Sequence, residues 1–316
     1  MASSNGSAAV SVQKLIEEKK KNHQSARKKI ENIVPILLFS TATVSVLTTL
    51  GILFTLLFET FTFFKDVSIV EFLTSKTWYP FSEPGHYGIL PLISGTLRVT
   101  GIAMIVAVPL GLASAVYLSE YASDQTRRVI KPILEVLAGV PTIVYGFFAL
   151  TFVTPILQKI IPSLEIFNAL SPGIVIGIMI TPTIASLSED AMSAVPNAIR
   201  EGALALGATK LEVTVKVVLP AAISGIIASV VLGMSRAIGE TMIVSIAGGS
   251  TPNTGFDITG PIQTMTAYIV QIAQGDAGYG TTIYYSIYAV GFTLFLFTLV
   301  MNLIAQWMSR RIREEY

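Results

Sequence analysis

Three charged residues lie inside runs of the sequence that are otherwise apolar or small. Arg236 and Glu240 stand four positions apart in "GMSRAIGETM", residues 233–242, and Arg98 lies in a second apolar run. An arginine presents a planar fork of donors that matches two oxygens of an oxyanion, and it keeps its charge at any physiological pH. Charges in such runs are costly and by default indicate a functional site. The three residues therefore predict an oxyanion path.

Two interpretations of these charges are open. Counted at about 1.5 Å per residue from Pro220 and Leu92, Arg236 and Arg98 reach a similar depth, so both guanidiniums would face one water-filled cavity. Glu240 would then neutralise one arginine between transport events or accept a proton-bearing oxygen. In the second interpretation, the three residues form a buried ionic cluster that only holds helices together. We favour the first.

Composition narrows the class of protein. Of 316 residues, 52% are hydrophobic and only 13% are charged, which indicates an integral membrane protein. The chain has no cysteine, and its two histidines, His23 and His86, lie far apart, so we expect no disulfide, no metal site and no cofactor. It has no Gly-Lys dipeptide, hence no phosphate-binding loop of that type, and any ATP-driven work requires a partner. A net charge of +1 gives no sign of nucleic-acid binding.

Six apolar runs are long enough to cross a bilayer, whose hydrocarbon core of about 30 Å requires roughly 20 residues of helix. The first run follows a basic segment, but it is longer than a secretory signal core and lacks a convincing cleavage site, so we expect a retained anchor. The runs are Ile33 to Phe58, Leu92 to Tyr117, Pro132 to Leu157, Pro172 to Ser188, Pro220 to Ala247 and Ile283 to Trp307.

The distribution of lysine and arginine predicts the orientation, because these residues resist translocation. With the N-terminus inside, 16 of the 21 basic residues are cytoplasmic, three are external and two, Arg98 and Arg236, lie within spans. The three external ones are Lys65, Lys76 and Lys159. This bias predicts that both termini are cytoplasmic.

The connection between the fourth and fifth runs, "VPNAIREGALALGATKLEVTVKVVLP" at 195–220, is too patterned for a simple loop. Pro196 suits the start of a helix, Gly207 suits a left-handed C-terminal position, and "TKLE" at 209–212 is a capping box. The pattern predicts two short helices joined at the glycine, with Pro220 in the first turn of the fifth span. By itself it equally fits an amphipathic pair on the membrane surface.

The spacing of this connection resembles the EAA loop of ABC-importer permeases, whose pattern is Glu-Ala-Ala, three residues, Gly, nine residues, Ile, any residue, Leu-Pro. The chain departs from it at Gly202 and Val217. The resemblance implies that an ATPase subunit docks here, with a glutamate for charge and small residues for close approach. The positions that match or stand in for the pattern are Glu201, Gly202, Ala203, Gly207, Val217, Leu219 and Pro220.

A narrower resemblance rests on "SRAIGET" at 235–241 and "GTLRVTGIAMIVAVPLGLASAVYLSEYA" at 95–122. With the basic N-terminal tail and the long segment after the first span, these stretches resemble the permease subunits of the high-affinity phosphate importer, over residues 30–310. The PstC type is a better match than its PstA sister. Carried over by position, the resemblance places Arg236 and Glu240 on the translocation pathway, and we infer the role of Arg98 from its matching segment.

The resemblance implies an all-α integral membrane protein with six transmembrane helices, the type I ABC-importer (MetI-like) permease fold with a cytoplasmic coupling helix. Residues 1–30 are a basic cytoplasmic tail, and residues 31–316 are the permease domain, with its coupling loop at about 196–220. The expected function is translocation of inorganic phosphate across the bacterial cytoplasmic membrane as one subunit of an ATP-driven importer. The chain itself is expected not to be an enzyme.

The implied partners are the ATPase subunit, a second permease subunit of the PstA type, an extracytoplasmic phosphate-binding protein and membrane lipid. Whether the second permease is a sister chain or another copy stays open. An alternative substrate is another oxyanion, such as sulfate or molybdate. An alternative mechanism is a proton-coupled secondary carrier that uses Glu240 as a proton relay.

Several further residues have expected roles. Glu135, Glu189 and Asp190 lie near the inner ends of spans, where carboxylates reach water or pair with loop cations. The stretch 77–88, "TWYPFSEPGHYG", is typical of an aromatic belt at the membrane interface, and alternatively of a landing surface for the binding protein. The last external loop, 248–280, is expected to be a partly helical gate element.

Overall fold

The computed structural model describes the backbone of residues 5–312 and the side chains of residues 33–275 and 277–307. Within these residues the chain is almost entirely helical. The α-helices are α1 Asn5–Asp66, α2 Ile69–Thr74, α3 Leu90–Val116, α4 Asp124–Ala138, α5 Thr142–Phe148, α6 Thr154–Ile160, α7 Leu170–Ser193, α8 Asn197–Ala205, α9 Lys210–Val213, α10 Leu219–Ile238, α11 Met242–Ala247, α12 Met265–Gln271 and α13 Thr282–Ile312. One two-residue antiparallel pair joins β1 Trp78–Tyr79 to β2 His86–Tyr87.

Four π-helical turns extend or join these helices, at Tyr117–Tyr121, Ala149–Val153, Thr214–Val218 and Ile272–Asp276. The chain divides into two compact units, of residues 1–58 and 59–316. The division into a tail of residues 1–30 and a permease domain remains a prediction. The backbone of residues 5–30 belongs to α1, whereas residues 1–4 and the side chains of the tail lie outside the described residues.

The first unit consists of the greater part of α1. From residue 33 to residue 58 its side chains are apolar, small or hydroxyl-bearing, and none of them carries a charge. The hydroxyls of Ser40, Thr43 and Thr48 each donate to a backbone carbonyl four residues earlier, at 2.8 Å. A helix that satisfies its own polar groups in this way suits a bilayer core, which offers no water as a partner.

Six helical segments are long and apolar enough to cross a membrane, as the sequence predicts, but their bounds differ from the predicted ones, most of all in the third and the fifth. The third begins at Thr142 instead of Pro132, and the fifth runs from Lys210 to Ile238 instead of from Pro220 to Ala247. The six segments are Ile33–Asp66, Leu90–Tyr121, Thr142–Ile160, Leu170–Ser193, Lys210–Ile238 and Thr282–Trp307.

Local chemistry explains the shifted bounds. Residues 124–138 form the separate helix α4, which breaks at Gly139 because Pro141 lacks an N–H and restricts the residue before it. The fifth segment breaks where Gly239 follows α10, and the chain resumes as the short helix α11. Both breaks fall within runs that a hydropathy count treats as continuous.

Small residues let the helices of the second unit pack closely. A Cβ added to Gly177 would lie 2.8 Å from the carbonyl oxygen of Ala103, and one added to Gly225 would lie 2.4 Å from the Cβ of Ala191. The first contact joins α3 to α7 and the second joins α7 to α10, so these three helices approach backbone to backbone. Contacts of this kind are typical of helices packed in membranes.

The second unit has two opposite ends. The β1–β2 hairpin precedes the start of α3, and Gly173 at the start of α7 packs on Ile102, so the start of α7 lies at the same end. We call this the hairpin end. Helix α8 follows the last turn of α7, and we call that opposite end the α8 end.

Candidate functional site

Arg236 lies in the last turn of α10 and joins three helices. Its Nη1 donates to the hydroxyl of Thr183 on α7 at 3.1 Å, and its Nη2 donates to the backbone carbonyl of Ala138 at 3.3 Å. Ala138 is the last residue of α4, whose final carbonyls have no partner within their own helix. The arginine therefore caps a helix end at a break in the chain, and both of its acceptors are neutral.

Glu240 lies beyond the end of α10, so it is not a helical neighbour of Arg236. Its carboxylate Oε1 accepts from the N–H of Ile243 at 3.3 Å and thereby caps α11, and its backbone carbonyl accepts from the hydroxyl of Thr266 at 2.8 Å. The residue is buried. The predicted continuous span from Pro220 to Ala247 is wrong at this point, because α10 ends at Ile238, between the two residues.

Arg98 lies on α3 near the hairpin end and binds a different part of the chain. Its Nη2 donates to the backbone carbonyl of Asn253 at 2.7 Å and to the Oδ1 of Asn253 at 2.8 Å, and its Nη1 donates to the backbone carbonyl of Asp257 at 2.7 Å. Its guanidinium thus holds the loop between α11 and α12. Hydrogen bonds from the side chain and N–H of Thr259 keep the pKa of the Asp257 carboxyl below its usual value.

The two arginines do not meet. Thr183, which binds Arg236, lies beside Ile184, and Ile184 packs on Gly111 of α3. Gly111 lies thirteen positions beyond Arg98 on α3, a separation of about 20 Å along the helix axis. Among the side chains described, no ion pair within 4.0 Å involves Arg98, Arg236 or Glu240.

The depth prediction fails because it counted from Pro220 as the membrane boundary. Gly225 packs beside Ala191, and Ser229 bonds to Ser188 at 2.7 Å, so the first turn of α10 lies beyond the end of α7. Arg236 consequently lies nearer the middle of the bundle than a count along its own helix indicates. The ionic-cluster interpretation of the three charges fails for the same geometric reason.

The coupling loop has the local structure that its sequence predicts. Helix α8 follows Pro196, Gly207 has a left-handed φ of 89°, and Thr209 and Glu212 form a complete capping box at the start of α9. One detail differs: α9 does not end, but continues through the π turn 214–218 into α10. The wider turn directly before Pro220 accommodates a residue with no N–H to donate.

The predicted coupling residues divide into exposed and packed positions. Glu201, Gly202 and Gly207 are exposed, and a Cβ on either glycine would meet no atom within 4 Å. Ala203 and Leu219 instead pack against a buried cluster at the α8 end, and Pro220 is half-buried beside them. Beyond the predicted set, Leu206 exposes 91% of its surface. The loop therefore presents an open surface of small residues with one prominent leucine.

Arg200 has a structural role, whereas the sequence prediction counted it only among the cytoplasmic basic residues. Its guanidinium donates to the carbonyls of Met192 and Val195 at the end of α7 and to the carboxylate of Glu120, at 3.2 Å, at the end of the second membrane segment. It thereby ties α8, the predicted coupling helix, to two membrane segments. Its position directly before Glu201 is the only signal in the sequence.

A second ionic group at the α8 end, the α4–α7 cluster, consists of Arg127, Lys131, Glu189 and Asp190. Glu189 is fully buried and accepts from Arg127 and from Lys131, the latter at 2.9 Å. Lys131 also donates to Asp190 at 2.7 Å, and this bond holds the pKa of Lys131 above its usual value. The expected pairing with loop cations is confirmed for both carboxylates, but contact of Glu189 with water is not.

A cavity at the hairpin end has a volume of about 640 Å³. It lies between the hairpin and the chain around α12, which is partly helical as expected for the loop 248–280. Its lining residues are Trp78, Tyr79, Pro80, Phe81, Ser82, Glu83, Pro84, His86, Ser250, Thr251, Pro252, Gln263, Tyr268 and Gln271. Among the described residues, no cluster of His, Cys, Asp and Glu could hold a metal ion.

Comparison with known proteins identifies relatives over most of the chain. Residues 107–314 match the family described as "Binding-protein-dependent transport system inner membrane component". A probable ABC transporter permease protein of Bacillus subtilis, YqgH, is 37% identical over 250 residues, or 78% of this chain and 80% of that protein. The phosphate transport system permease protein PstC of Mesorhizobium japonicum is 33% identical over 261 residues, or 77% of this chain and 79% of that protein.

Solved structures share the fold at lower sequence identity. A chain of a bacterial ABC transporter for the import of alginate superposes with a TM-score of 0.63 at 19% identity, covering 88% of this chain and 96% of that one. A chain of the MetNI methionine ABC transporter gives 0.53 at 16% identity, covering 72% and 95%. The described helices therefore have the MetI-like fold of type I importer permeases, as the sequence predicts.

Proposed function

Since the chain belongs to the family of binding-protein-dependent transport inner membrane components, we propose that it is the PstC-type permease that carries inorganic phosphate in an ATP-driven importer. The single observation behind the substrate is the similarity to proteins named as phosphate transport permeases, at 33% and 34% identity over 77% and 78% of the chain. The partners of such a permease are an ATPase and a substrate-binding protein.

We propose that Arg236 binds phosphate on the translocation path. A carboxylate partner would compete with an oxyanion for the guanidinium, but the described partners of Arg236 are a hydroxyl and a carbonyl, both neutral. Phosphate can replace these neutral acceptors with two charged oxygens, and arginine–phosphate hydrogen bonds are among the strong ones in proteins. Arg236 would therefore bind the anion more strongly than it binds its two present acceptors.

Glu240 has a complementary part in this proposal. Its buried carboxylate lies four residues from Arg236, at the start of α11, and an ionised carboxylate repels an anion unless a proton lies between them. Phosphate carries protonated oxygens near neutral pH, whereas sulfate does not. We infer that Glu240 accepts a hydrogen bond from such a protonated oxygen and so contributes to the selection of phosphate over sulfate. Arg98, nearer the hairpin end, belongs to the entrance of the same path.

The exposed part of the coupling loop is the proposed ATPase contact. Glu201, Gly202 and Gly207 leave room for another chain to approach the backbone, and Leu206 offers an apolar side chain to a groove. Ala203, Leu219 and Pro220 would then transmit the movement, because they pack on the buried cluster at the α8 end. Arg200 binds the same loop to α7, so displacement of α8 would be passed to the membrane segments.

The bias of basic residues supports an orientation with the α8 end and both termini in the cytoplasm and the hairpin end outside, in the bacterial cytoplasmic membrane. Six spans make half of a two-permease pathway. We propose a PstA-type sister chain as the other half, so that the complete complex is a heterodimer of permeases with its ATPase and binding protein.

Uptake of radiolabelled phosphate tests this function in cells that lack their own phosphate importers and express the chain with its neighbouring subunits. ATP-dependent uptake is expected for the parent and at least a hundredfold less for Arg236→Gln, with Arg128→Gln as a control for loss of a charge elsewhere. Parent-like uptake by Arg236→Gln refutes the path assignment. Uptake of sulfate or molybdate in place of phosphate refutes the substrate, and uptake without the ATPase indicates a secondary carrier.

A further inference from the structure

The cavity at the hairpin end combines a buried floor with an exposed aromatic rim. On the floor, Trp78, Gln263 and Tyr268 are almost completely buried, and on the rim Tyr79 and Phe81 each expose 53% of their surface. These two exposed aromatic side chains lie beside an open space of about 640 Å³. Such a surface is typical of a place that another molecule covers.

Charge excludes phosphate as that molecule. The lining of the cavity contains one carboxylate, Glu83, and neither lysine nor arginine. The surrounding hairpin-end segments, residues 67–89, 161–169 and 241–275, contain one lysine, Lys76, and four carboxylates, those of Glu71, Glu83, Glu165 and Asp257. The guanidinium of Arg98 binds the last of these segments, so two cations lie beside four carboxylates and the charge there is negative. A concave surface of one sign attracts groups of the opposite sign and repels an oxyanion.

The same lining suits a cationic side chain. Glu83 is exposed and can accept a charged hydrogen bond, while the faces of Tyr79 and Phe81 can attract a guanidinium or ammonium. A segment carrying a basic residue offers the cation that the carboxylate and the two rings can bind.

We propose that this cavity receives a protruding basic loop of the extracytoplasmic binding protein, with a lysine or arginine against Glu83 and the rings of Tyr79 and Phe81. The proposal rests on the proposed function, since it assumes a permease that is supplied by a binding protein. A face that repels free phosphate also favours delivery by a protein that encloses the anion. Docking of a cationic loop would neutralise this face next to the entrance.

The test uses the complete complex reconstituted in nanodiscs and measures ATPase stimulation by purified, phosphate-loaded binding protein. Glu83→Lys is expected to raise the half-saturating concentration about tenfold and Glu83→Gln about threefold, because charge at an interface rim mainly sets the association rate. Glu165→Gln removes an equal charge from the same end outside the cavity and should leave the value within about twofold. The maximal stimulated rate should stay unchanged in all three variants.

Equal half-saturating concentrations for the parent, Glu83→Lys and Glu165→Gln would overturn the proposal. The outcome is separate from failure of the proposed function, in which the phosphate-binding protein would not stimulate the parent complex at all. A lowered maximal rate with an unchanged half-saturating concentration would likewise refute docking at Glu83, because it would mean that the variant impairs a later step.

Tryptophan fluorescence distinguishes a protein loop from lipid in the cavity. The chain has two tryptophans, so Trp307→Phe leaves Trp78, on the floor, as the single tryptophan of this chain, and the chain is measured without its partner subunits. The binding protein, with its own tryptophans replaced, is expected to change the Trp78 emission in the parent background and, at the same concentration, much less with Glu83→Lys. Strong quenching by brominated lipid before the binding protein is added would show that the hairpin is an interfacial belt and overturn the proposal.

Discussion

The buried carboxylate of Glu189 allows a quantitative test of how the α8 end is held together. It lies on α7 with no exposed surface, and its charge is balanced by Arg127 and Lys131 from α4, whose side chains are 36% and 27% exposed. The perturbation is to replace the two cations by methionine, singly and together. Methionine preserves much of the apolar stem of each side chain but offers Glu189 no donor.

The two single replacements are expected to be mild. In each, one cation remains on Glu189 and Ser193 still donates to it at 2.9 Å, so the loss is about 1 kcal/mol, the upper range for partly exposed pairs. The double replacement leaves a buried carboxylate with one hydroxyl, a situation that costs about 3 to 5 kcal/mol. The loss should therefore exceed the sum of the two singles by about 1 to 3 kcal/mol.

The midpoint of thermal unfolding in detergent measures these differences. With about 2 °C per kcal/mol for a chain of this size, the singles should lower the midpoint by about 2 °C and the double by roughly 6 to 10 °C. Adding Glu189→Gln to the double variant removes the unpaired charge and should restore more than half of the loss. If the double effect equals the sum of the singles, or if Glu189→Gln restores nothing, the buried charge is not what stabilises this end.

Two further predictions concern the close contact at Gly95 and the pH range of the α4–α7 cluster. A Cβ on Gly95 would lie 2.2 Å from the carbonyl oxygen of Gln263, whereas one on Gly101 of the same helix would meet nothing within 4 Å. Gly95→Ala should therefore abolish uptake or folding, while Gly101→Ala should preserve both. Phosphate uptake and the monodispersity of the protein purified in detergent measure the two effects. Equal results for the two variants would contradict the close packing of the loop around Gln263 on α3. The hydrogen bond to Asp190 raises the pKa of Lys131 above 10.5, so its stabilisation is complete below that value and disappears as the pH rises through the folded pKa. The midpoint temperature of unfolding of the parent should therefore decrease as the pH rises above about 10.5, and that of Lys131→Arg should decrease less, because arginine keeps its charge there.

Several features of this protein follow from its sequence alone because they depend on local chemistry. The capping box at Thr209 and the left-handed Gly207 are set by residues within four positions of each other, and the structure has both. The existence of six membrane segments follows from apolar length, and the family from the spacing around Glu201. These properties do not require knowledge of which helix packs against which.

The ends of the third and fifth segments were beyond a sequence-based prediction, because a hydropathy count does not register a backbone break. The residues at the breaks, Gly139 to Pro141 and Gly239 to Glu240, are individually compatible with a continued apolar run. The break after α10 is what removes Glu240 from the helical face of Arg236 and turns its carboxylate into a cap for α11.

The sequence by itself determined the class of protein, the number of spans, the local structure of the loop at 196–220 and the identity of the charges within the apolar runs. Only the tertiary structure decided which groups those charges contact. Arg98 binds the loop at Asn253, 155 positions away, and Arg236 binds Ala138, 98 positions away. The register in which α7 packs against α3 and α10 sets the depth of each arginine, and that register depends on contacts between small residues distant in the chain.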